Sequence, residues 1–453
     1  MEAAARAHPA AGLDVDKLTY EIFSILESKF LFGYDDSKLF SSAGASPRPG
    51  SAGSAKATPL RALAPPASTG KVCILSIDGG GRAADGLLAG AALVRLEASL
   101  RRRTGDDGAR LADFFDVAAG SGAGGVLAAM LVARGPAGRP LFSAEDALAF
   151  LLRSLRRGWS DGGGGGGGGG LRALFRRPGA AAFRKLFGDL TLRDTVRPVL
   201  VPCYDLATAG PFLFSRADAV ETRAYDFRLR DVCAATCAGS GGSAAAVEAR
   251  SCDGSTRIAA VGGGVALGNP TAAAITHVLN NKREFPLAAG VEDLLVVSIG
   301  SGEAEPRGGA STSEIVRIAA EGVADMVDQA VAMAFGHNRT SNYIRIQATG
   351  TPRASRGGGG AAKGDGRVAE EMLAQKNVES VLFRGKKVAE QTNAEKLDRF
   401  AHELVKERDR RRTSPISPTV VKQQPTAPAA AGGQPAPAAS YSNLVSQMLT
   451  SIM

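Results

Sequence analysis

Phe115-Asp116-Val117-Ala118-Ala119-Gly120-Ser121-Gly122-Ala123-Gly124-Gly125-Val126-Leu127-Ala128-Ala129-Met130 decides the fold. Residues 114–119 form a short apolar run closed by a glycine-rich turn, which reads as a buried strand. Residues 126–134 are apolar, alanine-rich and unbroken by Pro, which reads as a helix. The six residues between them are Gly, Ala and one Ser, so almost no side-chain volume opposes a sharp strand-to-helix turn. The same grammar stands upstream. Val72-Cys73-Ile74-Leu75-Ser76-Ile77 is a strand, Asp78-Gly79-Gly80-Gly81-Arg82 a turn, and 87–102 a helix. Two strand–glycine turn–helix units in succession predict an α/β domain with a central parallel sheet and helical crossovers.

Farther out, Val199–Tyr204, Phe212–Ser215 and Leu294–Ile299 read as strands, the last running into Gly300-Ser301-Gly302. Residues 312–335 predict a long helix with Val316, Ala320, Val323, Val327 and Val331 on one face. The organisation expected is a helical extension over 1–42, an Ala/Ser/Pro/Gly linker over 43–70, and the α/β domain over 71–350. A charged helical extension over 351–410 and a low-complexity tail over 411–453 follow. The N-terminal extension contains an amphipathic helical pattern at 13–34. The domain carries a basic glycine-rich insert at 153–190, with nine consecutive glycines from Gly162 to Gly170. Trp159, Phe175, Phe183 and Phe187 are interleaved there with Arg172, Arg176 and Arg177. That pattern predicts contact with an anionic membrane surface through Trp159 and the three arginines.

The chain has 453 residues, 44% of them hydrophobic, which is enough for one large core. The net charge of +9 favours anionic partners. No zinc finger or aromatic-interleaved basic sheet motif accompanies that charge, so nucleic acid is not expected. The five cysteines are odd in number and irregularly spaced, which suits reduced thiols in a cytoplasmic protein. No apolar run has the length of a signal peptide or a bilayer span. The expected location is therefore cytoplasmic, at most peripheral at the plasma membrane, and not secreted.

Two turns carry the chemistry. Backbone N–H groups of Gly79, Gly80 and Gly81, with Arg82 beside them, can make an anion cradle at a helix start. In an acyl hydrolase such a cradle is the oxyanion hole. A dinucleotide-binding turn and a purely structural tight turn are the alternatives. The former wants an acidic residue at the end of a second strand, where Leu100-Arg101-Arg102-Arg103 stands instead. The second turn has the frame of a nucleophile elbow, with Gly120 and Gly124 flanking and Gly122 at the nucleophile position. Ser121 lies one position early, where a sharp turn aims the side chain elsewhere.

These segments resemble the patatin lipid acyl hydrolases. Residues 115–130 look like the patatin elbow with Gly122 in place of its serine, and Asp78-Gly79-Gly80-Gly81 looks like its oxyanion motif. Gly262-Gly263-Gly264-Val265-Ala266-Leu267-Gly268-Asn269-Pro270-Thr271 looks like the segment whose leading aspartate completes the Ser–Asp dyad, and Gly262 stands at that aspartate's place. The doubly substituted pattern resembles a plant group in which glycine replaces the nucleophile serine. The resemblance implies a three-layer α/β fold with a central, mostly parallel sheet flanked by helices. It also implies hydrolysis of phospholipid and galactolipid esters without metal or cofactor.

With glycine at both dyad positions, strong Ser–Asp catalysis is excluded. Two functions stay open: weak or unconventional hydrolysis, with Asp78 activating water, and lipid binding or regulation without catalysis. His277 reads as structural, and Asp253 as part of a hairpin turn. An empty space is expected at the elbow tip. Restoring Ser at 122 is expected to cost about 1 kcal/mol of backbone strain.

Overall fold

A computed structural model describes residues 70–157, 180–239, 246–302, 312–349, 361–381, 385–414 and 417–420. The N-terminal extension, the linker, most of the tail, and Trp159, Arg172, Arg176 and Arg177 of the insert lie outside the described residues.

β1 (Val72–Ile77) leads through a glycine loop and a 3-10 turn, Ala83–Gly86, into α1 (Leu87–Thr104). β2 (Val117–Gly120) leads into α2 (Ala123–Val132). Next come α3 (Ala144–Arg157), α4 (Ala180–Phe187), β3 (Val199–Asp205), β4 (Gly210–Ser215), α5 (Arg216–Glu221) and α6 (Leu229–Thr236). β5 (Val247–Arg250) and β6 (Arg257–Val261) precede α7 (Gly263–Ala266) and α8 (Thr271–Asn280). β7 (Leu294–Ile299), α9 (Thr312–Phe335), α10 (Arg339–Asn342) and β8 (Tyr343–Ile346) complete the main sheet. α11 (Ala361–Ala374), β9 (Lys376–Val381), β10 (Gly385–Thr392) and α12 (Asn393–Thr413) follow.

The eight-stranded sheet runs β5-β6-β3-β2-β1-β7-β8, with β4 paired to β3. β3, β2, β1, β7 and β8 are mutually parallel, while β4, β5 and β6 make the antiparallel side. Strand alternation divides the core in two. Cys73, Leu75 and Ile77 of β1 face a large cluster shared with α1, α2, α3, α6 and α12. Val72 and Ile74 face a second cluster with Ala274, Ile275 and Val278 of α8 and Val331, Ala332 and Phe335 of α9. Helices thus cover both faces of a mostly parallel sheet, which is the three-layer arrangement the sequence predicts.

Local departures have physical reasons. β2 starts later than expected because Leu111–Asp113 form a 3-10 turn, and α2 starts at Ala123 because Gly122 is already its N-cap. The charged extension expected to be helical over 351–410 is helical only in part: the antiparallel β9–β10 hairpin interrupts it. Asn377 and Val378 are buried on β9 despite the charged surroundings. α12 then lays Leu397, Phe400, Ala401 and Leu404 into the main core against α1. Phe183 and Phe187 of the basic insert are core residues, not surface anchors. Both are buried on α4, which packs on α6, while Arg184 and Lys185 between them are exposed.

The N-terminal end of the central strand is sealed by charge. Asp116 accepts from Cys73 N–H (2.8 Å) and from Arg411 Nη2 (2.7 Å). Glu407 Oε1 accepts from Lys71 N–H (2.7 Å), and Arg411 also bonds the Lys71 carbonyl. Among the described residues, no helix is long and apolar enough to cross a membrane.

Candidate active site

The two glycine-rich turns meet at the C-terminal ends of β1 and β2, which pair in parallel with Ile77 opposite Gly120. Ser121 N–H donates to the Ile77 carbonyl (3.0 Å), and Ala123 N–H donates to the Gly80 carbonyl (2.8 Å). Gly122 N–H donates to Thr236 Oγ1 (2.9 Å) at the end of α6. Residues 120–125 therefore make the expected tight strand-to-helix turn facing the glycine loop. Gly122 has φ 54° and ψ −125°, a conformation strained for an L side chain. A Cβ on Gly124 would stand 2.7 Å from the Asp78 carbonyl oxygen, so the loop and α2 touch backbone to backbone.

The expected empty space at the elbow tip is absent. A Cβ on Gly122 would lie 2.6 Å from the Gly80 carbonyl carbon and 2.7 Å from the Gly79 carbonyl oxygen, closer than real Cβ contacts allow. The backbone of the glycine loop occupies the room a nucleophile side chain would need. At the second dyad position, a Cβ on Gly262 would lie 2.5 Å from the Ala238 carbonyl oxygen. A serine or an aspartate restored at these places would require the backbone to move.

Nor does the loop offer an open cradle. The carboxylate of Asp85, on the 3-10 turn, folds back over Gly80, whose Cβ would stand 3.0 Å from Asp85 Cγ. Asp85 Oδ2 accepts from Arg82 N–H (3.1 Å), and its Oδ1 pairs with Arg82 Nη2 (2.7 Å). Arg82, expected beside the oxyanion, is instead exposed and tied to Asp85.

Of the Asp78 carboxylate oxygens, Oδ2 is paired and Oδ1 is buried without a hydrogen-bond partner among the described residues. Asp78 is buried with Oδ2 2.6 Å from Arg345 Nη2 of β8. Burial pushes its carboxyl up, and Arg345 pulls against that. Burial opposes the Arg345 charge, but Asp78 beside it more than offsets this and holds its pKa above the ordinary value. Arg345 Nη1 donates to Ser298 Oγ (2.7 Å), and Thr271 Oγ1 joins Ser298 Oγ (2.8 Å) to Ser76 Oγ (2.9 Å). Asp78 thus ties the end of β1 to Arg345, whose hydrogen-bond network continues through Ser298 and Thr271 to Ser76, and its geometry is not that of a free general base. The network was missed in the sequence because its members come from four separate elements. Only Asp78 and Thr271, each within a recognised segment, carried any signal.

Ser121 Oγ is buried with no hydrogen-bond partner among the described residues, so no base is hydrogen-bonded to it. Cys237, where α6 ends, is buried and its thiol is pushed well above its ordinary pKa by desolvation, so it is no thiolate. His277 lies on α8 at the edge of Phe285, with its pKa lowered by burial, and is remote in role from the elbow. Asp253 closes an exposed turn, accepting from Ser251 Oγ (2.7 Å) and Ser255 Oγ (2.7 Å).

Comparison with known proteins places this geometry. Residues 75–275 match the patatin-like phospholipase family. Rice patatin-like protein 3 is 64% identical over 414 residues, which cover 89% of this chain and 94% of that protein. Patatin-like protein 7 of Arabidopsis thaliana is 50% identical, covering 91% and 85% of the two chains. A third relative, 39% identical over 87% of this chain and 93% of its own, is named probable inactive patatin-like protein 9 of Arabidopsis thaliana. With its elbow, glycine loop and three-layer sheet intact and its match to these relatives nearly full-length, the chain belongs to the patatin-like phospholipase family, whose members are in general lipid acyl hydrolases.

Proposed function

We propose that the protein works on membrane glycerolipids, phospholipids and galactolipids, with acyl-ester hydrolysis that is weak because it runs without the Ser–Asp dyad. The observation that carries this reading is the retained elbow: Gly122 keeps the strained turn conformation, and the glycine loop stays hydrogen-bonded to the start of α2. Water is then the nucleophile, and polarisation of the ester carbonyl by backbone N–H groups is what remains of the catalytic apparatus. Losing a hydrolase nucleophile typically leaves a rate ~10³–10⁴ above water from oxyanion hole and binding alone.

A second reading is a glycerolipid-binding or regulatory protein without turnover. It is favoured by the backbone of Gly79 and Gly80 filling the nucleophile space and by Asp85 lying over the loop. Both readings place the protein in the cytoplasm, peripheral at the plasma membrane.

The deciding experiment incubates purified full-length protein with phosphatidylcholine and monogalactosyldiacylglycerol, with and without a serine-reactive fluorophosphonate. Slow, inhibitor-insensitive release of fatty acid supports the first reading. Binding with no release supports the second. Fast release that the fluorophosphonate abolishes would sink both.

A further inference from the structure

The opposite end of the sheet from the elbow holds a cavity of about 220 Å³. That is far above the ~10–15 Å³ that accommodates a single water. It lies between the segment before β2 (Ala112, Asp113), the segment before β3 (Val196, Arg197) and the chain leaving α2 (Arg134, Arg139). Its wall is built, not loose. Ala133 bridges to Thr195 and Arg134 to Pro140 in β fashion, and Arg134 N–H donates to the Asp194 carbonyl (2.9 Å).

Three guanidiniums line this space. Arg139 is committed to Asp113, with Nη1 at 2.8 Å and Nη2 at 3.0 Å from its carboxylate oxygens. Arg134 and Arg197 are half-buried, and each is oriented by one backbone carbonyl. Arg134 Nη2 donates to Thr195 O (3.0 Å), and Arg197 Nε donates to Ala112 O (2.8 Å). Neither forms an ion pair with a carboxylate among the described residues. A guanidinium has five N–H donors, so each keeps four after its bond to a carbonyl. Three cations less one carboxylate leave two uncompensated positive charges in the lining. The charge excess extends inward. Arg216 is buried, 3.7 Å from Glu284, and its pKa is lowered by burial and by the like charges of Arg134 and Arg193.

We propose that this cavity binds a phosphate group between the Arg134 and Arg197 guanidiniums. A phosphate monoester carries about −1.5 to −2 charges near pH 7, matching the two uncompensated cations. Its several acceptor oxygens suit planar donors arriving from two directions, and guanidinium is the group that makes bidentate contacts to phosphate. A carboxylate, with one negative charge, would compensate one arginine and leave the second without a counter-charge. The site is independent of ester hydrolysis at the elbow and stands whichever reading of that site holds.

Titration calorimetry of the full-length protein with inorganic phosphate, at fixed chloride and pH 7.5 (about one and a half units above the second pKa of a phosphomonoester), tests the proposal. Saturable one-to-one binding is expected, with a Kd between roughly 10 µM and 1 mM. Arg134→Gln and Arg197→Gln should each weaken it at least about tenfold, a single charge-assisted contact. Should either variant fold poorly, Asp113→Asn supplies the opposite sign, because releasing Arg139 tightens phosphate binding several-fold.

Co-sedimentation with phosphatidylcholine vesicles with and without phosphatidic acid identifies the source of the phosphate. Phosphatidic-acid-dependent binding that free phosphate competes away, and that Arg134→Gln removes, assigns a lipid headgroup. Retention of calorimetric binding without such co-sedimentation assigns soluble phosphate or a soluble phosphomonoester. Absence of saturable binding in both forms, or binding indifferent to Arg134→Gln, Arg197→Gln and Asp113→Asn alike, overturns the proposal.

Discussion

The Gly80 carbonyl both accepts the Ala123 N–H (2.8 Å) and fills the position from which a side chain on Gly122 would project. The absence of a side chain at 122 and the position of the glycine loop are thus sterically coupled. Gly122→Ser therefore costs more than the 1 kcal/mol that strain alone implies. Strain and overpacking together give a loss of about 2–4 kcal/mol. Chemical denaturation of the two proteins measures it, and a loss under 1 kcal/mol would mean the loop moves aside freely. The same variant should gain no hydrolysis, with or without Gly262→Asp, because the Gly262 position also meets backbone, at Ala238.

Asp85 is expected to hold the residual rate down. Asp85→Asn removes the carboxylate that lies over Gly80 and pairs with Arg82. It should raise hydrolysis of a chromogenic short-chain ester several-fold while lowering stability by about 1 kcal/mol, the usual cost of a lost turn-capping carboxylate. An unchanged rate at measurable destabilisation would show that Asp85 only caps the turn.

Asp78 and Arg345 should behave as a buried pair. Asp78→Asn alone leaves the guanidinium without its partner and should cost about 3–5 kcal/mol. Asp78→Asn with Arg345→Met should cost less than the sum of the singles, and a denaturation double-mutant cycle reads the coupling. Strict additivity would refute the ion pair as the element that ties β1 to β8.

Asp205, at the end of β3, gives the pH dependence. Burial works against its carboxylate, but bonds from Thr208 Oγ1 (2.8 Å), Ala207 N–H (3.2 Å) and Ala259 N–H (2.9 Å) outweigh it and hold the pKa below the ordinary value. A carboxyl depressed on folding stabilises fully above its unfolded pKa, about 3.9. That contribution disappears as pH falls through the folded value. Asp205→Ala should therefore cost about 1–3 kcal/mol at pH 7 and progressively less below pH 4. Stability curves of the two proteins that stay parallel from pH 7 to pH 2.5 would contradict this.

Two separate expectations attach to the basic insert. Phe183→Ala should destabilise the fold by about 3–5 kcal/mol, as a buried aromatic does, without changing lipid binding directly. Arg→Ala changes at 172, 176 and 177 should leave stability alone and weaken sedimentation with anionic vesicles by about 1 kcal/mol each, an effect that added salt erodes. Salt-independent binding would rule out the electrostatic account.

The parts legible in the sequence were local ones. Val72–Ile77, Leu294–Ile299 and Thr312–Phe335 coincide with their expected spans because apolar runs and flanking turns mark them without outside help. The elbow was legible because its constraint is steric and its solution is a run of small residues. The placement of the Gly80 carbonyl was not, since Gly80 and Gly122 lie on loops after two different strands and meet only in three dimensions. Arg345 was invisible for a related reason: one arginine on a short strand carries no periodicity. The β9–β10 hairpin was masked by charged residues such as Lys386, Lys387 and Glu390, whose density suggested an exposed helix.

The clasp between Arg411, Glu407 and the start of β1 bears on how the chain acquires its structure. The central strand is made early in synthesis, yet the Lys71–Glu407 contact closes over a separation of 336 residues. Contacts of such range form late, after most of the loop entropy has been spent. Until α12 leaves the ribosome, the surface of α1 that will meet Phe400 and Leu404 is uncovered and open to association with other chains. A premature stop between Met130 and Asn393 should therefore yield a protein that is cleared by proteolysis, even though every residue of the elbow has already been made.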